Sequence, residues 1–327
     1  MRVLVTGGAG YIGSVAVERL QDESHDVAVL DSLWRGHPAA LPADVHVHEA
    51  DLTDAAAVNA VVSTVAPDAV MHFAAAALVG ESVADPAKYF AVNVVGSHNL
   101  LSAMRASGVS RFVFSSTAAV YGTPTALPIR EDAPKTPINP YGRSKLMVEE
   151  MLEWHSAAYG LNYAILRFFN VAGATTIHGE DHDPETHVIP VALQTVLGQR
   201  DVFKIFGTDY PTPDGTAIRD YVHVVDLADA HLLALERLDR TLGAFNLGTK
   251  EGFSVRQIVA AVEEVTGRIL PIQLDPRREG DPPALVADAS RAREVLGWNP
   301  HRSTLDQMIG SAWEWMRAHP KGYDSES

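Results

Sequence analysis

The 327-residue chain is 46% hydrophobic and 20% charged, a globular composition with length enough for one large unit or two modest ones. Its net charge of −15 argues against general attraction to nucleic acid or anionic lipid, and the lack of cysteine excludes disulfides, thiolate metal sites and a cysteine nucleophile. The first residues read as a strand with no room for a leader, and no apolar run approaches the ~20 residues of a bilayer span. A cytoplasmic protein that meets neither nucleic acid nor membrane is the expectation.

Short β-rich runs at residues 2–7, 26–31, 45–52, 69–75, 111–116 and 162–171 read as strands. Between them lie segments such as "AAAVNAVVSTV" and "NVVGSHNLLSAMRASG", with apolar residues at helical spacing. This alternation predicts an α/β fold, a Rossmann-type doubly wound parallel sheet covered by helices on both faces. After Asn170 the pattern breaks into a polar loop, a helix from about Val188 and the strand "VFKIFG". A dinucleotide-binding domain over 1–170 and a smaller α/β substrate domain over 171–327 follow, with the chain re-entering the first domain around 220–250.

"TGGAGYIGS" follows the first strand and opens the first helix, with Gly7, Gly10 and Gly13 spaced for a tight turn. Glycines there let backbone N–H groups and the helix N-terminus approach a pyrophosphate. Asp31 ends the second strand, where its carboxylate accepts from ribose hydroxyls and repels a 2′-phosphate, so NAD is preferred over NADP. Arg35, close by, reads as a solvated loop arginine. Asp51 reads equally as an adenine contact or as an acid at a helix N-terminal region.

In "NPYGRSK" the proline sets the chain entering a helix, and Tyr141 and Lys145 share a face at i, i+4. An ordinary tyrosine, with a pKa near 10, is a poor base at neutral pH. A nearby ammonium and an oxidised nicotinamide would lower that pKa, and the phenolate could then take a proton from a sugar hydroxyl. Lys145 can also hold the nicotinamide ribose. Ser115, Ser116 and Thr117 close a strand at the sheet's carboxyl edge, where Thr117 can bond the reacting oxygen or satisfy its own turn.

Those motifs, with "HFAAAALVGESV", "SSTAAVYG", "LRFFNVAGA", "PETHVIP", "IFGTDYPTPDGTAIRDYVHVVDLADAH" and "RREGDPPALVADAS", resemble the extended short-chain dehydrogenases/reductases, and within them the UDP-glucose 4-epimerase family, over nearly the full chain. The resemblance implies NAD contacts from Gly7, Gly10, Tyr11, Ile12, Gly13, Asp31, Ser32, Asp51, Leu52, Phe73, Ala74, Ala75, Asn93, Ser115, Tyr141, Lys145 and Phe169. It implies UDP-sugar contacts from Thr117, Tyr141, Asn170, His187, Val188, Phe206, Arg219, Tyr221, Val255, Arg278, Asp281 and Leu285. Arg219 and Arg278 suit a diphosphate, although acids such as Asp214, Asp220, Glu279 and Asp281 also offer them surface ion pairs. A homodimer through a four-helix bundle of residues 86–104 and 141–160 is also implied.

Three positions depart from the family pattern. Ala77 stands where many relatives carry a lysine near the nicotinamide, and His187 where some carry a substrate-binding asparagine. Leu285 replaces a bulky tyrosine of some glucose-specific relatives, leaving room for a 2-acetamido group, so UDP-N-acetylhexosamines are an alternative substrate and UDP-pentoses another. A 4,6-dehydratase would need acids after the threonine, where Ala118 and Ala119 stand; a non-catalytic sensor would not need Tyr141 and Lys145. His178, His182 and His187, with Asp181 and Glu185, invite a metal reading, but histidines in a polar loop are more often solvated or hydrogen-bonded, so no metal is expected.

Overall fold

The structure is a computed structural model and describes residues 1–278 and 281–323. Glu279 and Gly280 of the "RREGD" motif lie outside the described residues. Strands β1 (Arg2–Thr6), β2 (Asp26–Asp31), β3 (His46–Glu49), β4 (Ala69–His72), β5 (Arg111–Thr117) and β6 (Asn162–Phe168) belong to the main sheet. Then come β7 (Asn170–Ala172), β8 (Phe203–Phe206), β9 (Ile218–His223), β10 (Gly243–Leu247), β11 (Gly252–Ser254), β12 (Ile272–Asp275) and β13 (Ala284–Leu285).

The main sheet is seven-stranded and wholly parallel, in the order β10-β6-β5-β4-β1-β2-β3. Its strands are almost continuously apolar because both faces are covered. On one face, Val17 and Leu20 of helix Tyr11–Asp22 and Leu227, Ala230 and Leu235 of helix Val224–Glu236 pack on Val3, Val5, Val29 and Met71. On the other, Val58, Val62, Leu100, Leu101, Met104, Val148 and Leu152 pack on Leu4, Leu30, Val70, Phe112 and Phe114. Strand order reverses between β1 and β4, so the crevice beyond their carboxyl ends is the natural ligand position of such a sheet.

A smaller unit holds β7, β9, β11 and β13 in one sheet and β8 with β12 in another, around Ile189, Leu193, Ile205, Ile258, Val262, Met308, Ile309 and Trp313. The chain passes back through β10, which pairs with β6, and again through Ala289, Ala292, Leu296 and Trp298, which are buried in the main core. The second return lies beyond the 220–250 re-entry read from sequence. No helix among the described residues is long and apolar enough to cross a membrane.

Candidate active site

The glycine loop runs from β1 into helix Tyr11–Asp22 at the point where strand order reverses. Gly7 has φ of 71°, and a Cβ there would lie 2.5 Å from the backbone nitrogen of Ala74, on the loop after β4. A Cβ on Gly13 would overlap the Gly7 carbonyl, so both positions need glycine for close backbone approach. Gly10 caps the helix without a side chain, and no acid sits in the first turn, which leaves the positive helix end to an anionic group. Tyr11 donates a 2.5 Å hydrogen bond to the carbonyl of Gly173, tying this loop to the second unit.

Asp31 is buried, and its carboxylate accepts from the backbone N–H of Ala9 (3.0 Å) and Leu33 (2.9 Å). Burial raises its pKa, and these backbone donors act the other way. Ser32 beside it is exposed. Arg35 faces Glu81 at 3.7 Å and stacks on Trp34, engaged away from Asp31. Asp51 is exposed and accepts from the N–H and hydroxyl of Thr53, while the cap of helix Ala55–Val65 is Asp54. Leu52 is buried against Gly96. Asn93 is buried behind the Phe73–Ala74–Ala75 loop, its amide bonded to both backbone groups of Ala76 and to Ser144. The backbone N–H groups of Phe73 and Ala74 both donate to Thr6 at the end of β1, so glycine loop and β4 loop form one wall. A glycine cradle, an uncapped helix end and a carboxylate at the next strand are a fit for a dinucleotide.

Tyr141 and Lys145 lie in the first turns of helix Pro140–Tyr159, which starts there because Asn139 accepts from the Gly142 N–H and Pro140 needs no donor. Both side chains are buried, Tyr141 8% exposed and Lys145 4%. The Lys145 ammonium donates 2.9 Å to the Ser115 carbonyl and lies 4.7 Å from the centre of the Phe114 ring. Thr117 ends β5; its hydroxyl oxygen accepts from Ala119 N–H at 3.1 Å, and it lies near enough to the Tyr141 phenol to pull that group's pKa down. The turn reading of Thr117 is thus observed, and its place beside the phenol leaves the site reading open to it.

Burial pushes the Tyr141 phenol up to about 12, against the downward pull of Thr117. Burial likewise brings the Lys145 ammonium down to about 7, with the Glu149 carboxylate acting upward. In the chain by itself the phenol is thus not depressed as the sequence reading has it, because desolvation of the phenolate outweighs the pull of Thr117.

Two buried groups behind this site escaped the sequence reading. Glu149 is fully buried and pairs with Arg167 at 2.7 Å; it also accepts from Ser116 (2.6 Å), and Arg167 donates to the Tyr121 hydroxyl at 2.7 Å. The signal available was Glu149 standing four residues past Lys145 on the same helical face. His231 is the other: its Nδ1 faces the Leu227 carbonyl, so its Nε2 accepts from the Ser115 hydroxyl at 2.7 Å, and burial lowers it to about 4, keeping it neutral. Nothing local marks it.

The other candidates gather around β9. Asn170 and Leu285 stand beside Tyr221 and Arg219 in the paired strands, and the Asn170 amide donates to the Asp220 carbonyl at 3.1 Å. Arg219 forms an ion pair with Asp281, while Arg278 stacks 4.0 Å from the centre of the Phe206 ring. Val255 opens the helix after β11, its N–H bonded to Ala217. Leu285 packs against the buried cluster of Val120, Tyr121, Ile129 and Leu146, as Phe169 does, joining this unit to the helix of Tyr141. Ala77 is exposed. His187 caps helix Val188–Val196 and points its Nδ1 at Glu180 (2.8 Å) and Glu185 (2.9 Å), with His182 beside it. His178 and Asp181 do not join them: His178 faces Glu18 at 3.4 Å, and Asp181 accepts from the Tyr323 N–H.

A family described as NAD dependent epimerase/dehydratase matches residues 3–248. UDP-glucose 4-epimerase of Halalkalibacterium halodurans is 49% identical over 331 aligned residues, covering 100% of this chain and 99% of the relative. The solved structure of UDP-glucose 4-epimerase from Brucella ovis in complex with NAD has a TM-score of 0.93 at 48% identity, covering 95% of this chain and 97% of that one. That of the Bifidobacterium longum enzyme with NAD+ and UDP has a TM-score of 0.94 at 37% identity, covering 98% and 100%. The chain belongs to the NAD-dependent epimerase/dehydratase family, as a full-length relative of its UDP-glucose 4-epimerases.

Proposed function

We propose that this chain interconverts UDP-glucose and UDP-galactose by inverting carbon 4, with bound NAD. The observation that carries the reading is the convergence of Tyr141, Thr117 and Lys145 at the end of β5, beside a glycine cradle on one side and the arginine-bearing β9 unit on the other. Asp31, Gly7, Gly10, Gly13 and the Phe73–Ala75 wall would hold the dinucleotide, whose nicotinamide ring supplies reversible oxidation at the sugar carbon. Its positive charge, when oxidised, also favours the phenolate that burial in the chain alone disfavours. Tyr141 takes the proton of the 4-hydroxyl and later returns one; Thr117 hydrogen-bonds the same phenol oxygen and steadies its charge.

The UDP moiety suits Arg219 and Arg278, with Asp281 for the ribose hydroxyls and Phe206 against the base. Anchoring the nucleotide firmly while holding the hexose loosely lets the 4-keto sugar present both faces before it is reduced. Purified protein given UDP-galactose should yield UDP-glucose without added reductant and should contain dinucleotide. Protein loaded with NAD that leaves the sugar unchanged would overturn the assignment.

Leu285 favours a second reading in which UDP-N-acetylhexosamines are also accepted, since its side chain is smaller than a tyrosine beside Arg219. The protein is read as a cytoplasmic homodimer. Exposed Val95, Met147, Trp154 and Tyr159 on the helical segments 86–106 and 140–159 support pairing of those helices with a second copy.

A further inference from the structure

Residues 180–187 fold back so that one nitrogen or oxygen from each of Glu180, His182, Glu185 and His187 lies within 4.8 Å of every other. The Nδ1 of His182 is 3.1 Å from Glu180 Oε1 and 3.6 Å from Glu185 Oε2; that of His187 is 2.8 Å from the same Glu180 oxygen and 2.9 Å from the other Glu185 oxygen, Oε1. A tetrahedral zinc site with bonds of about 2.0–2.1 Å sets its donor atoms roughly 3.3 Å apart. With Glu185 Oε2 as its donor, the separations of 2.8, 3.1 and 3.6 Å straddle that edge, so a small outward shift of the shorter pairs opens a metal-sized centre.

The charge is as telling as the distances. The Glu180 and Glu185 side chains are only 8% and 3% exposed, and two carboxylates so placed need two positive charges close by. Either both imidazoles carry an extra proton, or both are neutral and one divalent cation sits among the four donors. Glu185 is already fixed, accepting from the N–H groups of Thr186 (2.6 Å) and His187 (2.7 Å), while Arg200 donates to its carbonyl at 2.9 Å. Glu185 is thus held by backbone contacts on its Oε1, which leaves Oε2 for an ion.

We propose that Glu180, His182, Glu185 and His187 form a four-ligand site for a divalent transition metal, with zinc the best match. Two imidazole nitrogens and two carboxylate oxygens suit zinc, whereas magnesium and calcium favour all-oxygen shells with more ligands. With four protein donors the site has no open position, which makes it structural and not a Lewis acid. Its place fits that role. The His182 ring meets the edge of the Tyr11 ring at 6.3 Å, and Tyr11 belongs to the glycine loop, so the ion pins the start of helix Val188–Val196 beneath that loop. His187 would bind through Nδ1 and keep Nε2 for any other partner. This reverses the expectation of no metal drawn from the sequence, and it stands independently of the reaction.

The test uses the full chain, stripped with a chelator, dialysed against zinc and then against metal-free buffer, with bound metal measured by plasma mass spectrometry. One zinc per chain is expected, kept by His178→Gln and reduced at least about tenfold in His182→Asn and Glu180→Gln. Cobalt loaded into the unmodified protein should give the intense visible bands of tetrahedral coordination, which tests the site even if a variant fails to fold. Zinc no higher in the unmodified protein than in His182→Asn, or a weak octahedral cobalt spectrum, would overturn the proposal in favour of two protonated imidazoles.

Discussion

The Lys145 ammonium is bonded to the Ser115 carbonyl at 2.9 Å, which fastens the helix of Tyr141 to the strand that ends in Thr117. The first turn of that helix is thereby held beside the end of β5. Ser115 is itself held from behind by His231, and Ser116 by Glu149, so the two β5 residues before Thr117 each have a separate anchor. Such backing would keep the proposed proton-transferring phenol and its threonine neighbour in place.

Removing the phenol hydroxyl should leave this scaffold standing. Tyr141→Phe is expected to retain its dinucleotide and fold normally while turnover of UDP-galactose falls by roughly 10²–10⁴-fold, the usual range for a lost general acid/base. Cofactor content of the purified variant and a coupled rate assay check it. An unchanged rate would remove Tyr141 from the chemistry.

Lys145 gives a stability signature with a definite sign in dinucleotide-free protein. Its ammonium titrates at about 7 in the fold against 10.5 in the free side chain. Between those values the unfolded chain binds the extra proton, so stability contributed by this group rises with pH through that window. The phenol of Tyr141 works oppositely, but only above its ordinary value of 10.0. Thermal midpoints of the unmodified protein, relative to Lys145→Met, should therefore climb between roughly pH 7 and pH 9. A flat or falling difference would contradict a desolvated lysine.

Gly13→Ala tests the cradle by sterics alone. Its new methyl would overlap the Gly7 carbonyl, and that carbonyl also accepts from Gly10, so the loop must open to relieve the clash. The purified variant should carry little dinucleotide, measured by absorbance after acid release, while its far-ultraviolet circular dichroism stays close to that of the parent. Full occupancy would show that the loop gives way more easily than this geometry allows.

The Glu149–Arg167 pair is a stability element. Glu149 is wholly buried and the Arg167 side chain 3% exposed, so Glu149→Gln strands a guanidinium away from water at a cost of about 3 kcal/mol. Urea unfolding should show that loss, and adding Arg167→Met should recover part of it because no lone charge then remains. A double variant less stable than Glu149→Gln would argue against this account.

What the sequence made legible is what is written locally. Strand and helix periods, the three glycines and the Tyr141–Lys145 spacing all depend on neighbours a few residues away. The place of β10 beside β6, and the return of Ala292 and Trp298 to the main core, rest on long-range pairing that no window contains. Glu149 looks like an ordinary polar helix residue until Arg167 arrives from the adjacent strand. In residues 180–187 the residue types were visible, but which histidines converge depends on the turn: His182 and His187 face the same carboxylates and His178 does not. Burial of the Tyr141 phenol was likewise not legible, because spacing reveals a neighbouring cation and not the depth at which the pair sits.

Leu285 carries the prediction on substrate range. It pairs in register with Arg219, the residue proposed for the diphosphate, and packs on the cluster of Val120, Tyr121, Ile129 and Leu146, the last on the helix of Tyr141. A tyrosine here would extend a ring and hydroxyl from the wall that faces the hexose in the proposed complex. The unmodified protein should therefore turn over UDP-N-acetylglucosamine as well as UDP-glucose. In Leu285→Tyr, kcat/KM for the acetylated sugar should fall by roughly tenfold or more through steric exclusion, while that for UDP-glucose changes little. The ratio of the two is the informative quantity, because general damage to the fold lowers both together. Equal losses for both sugars would show that this position does not read the substituent at carbon 2.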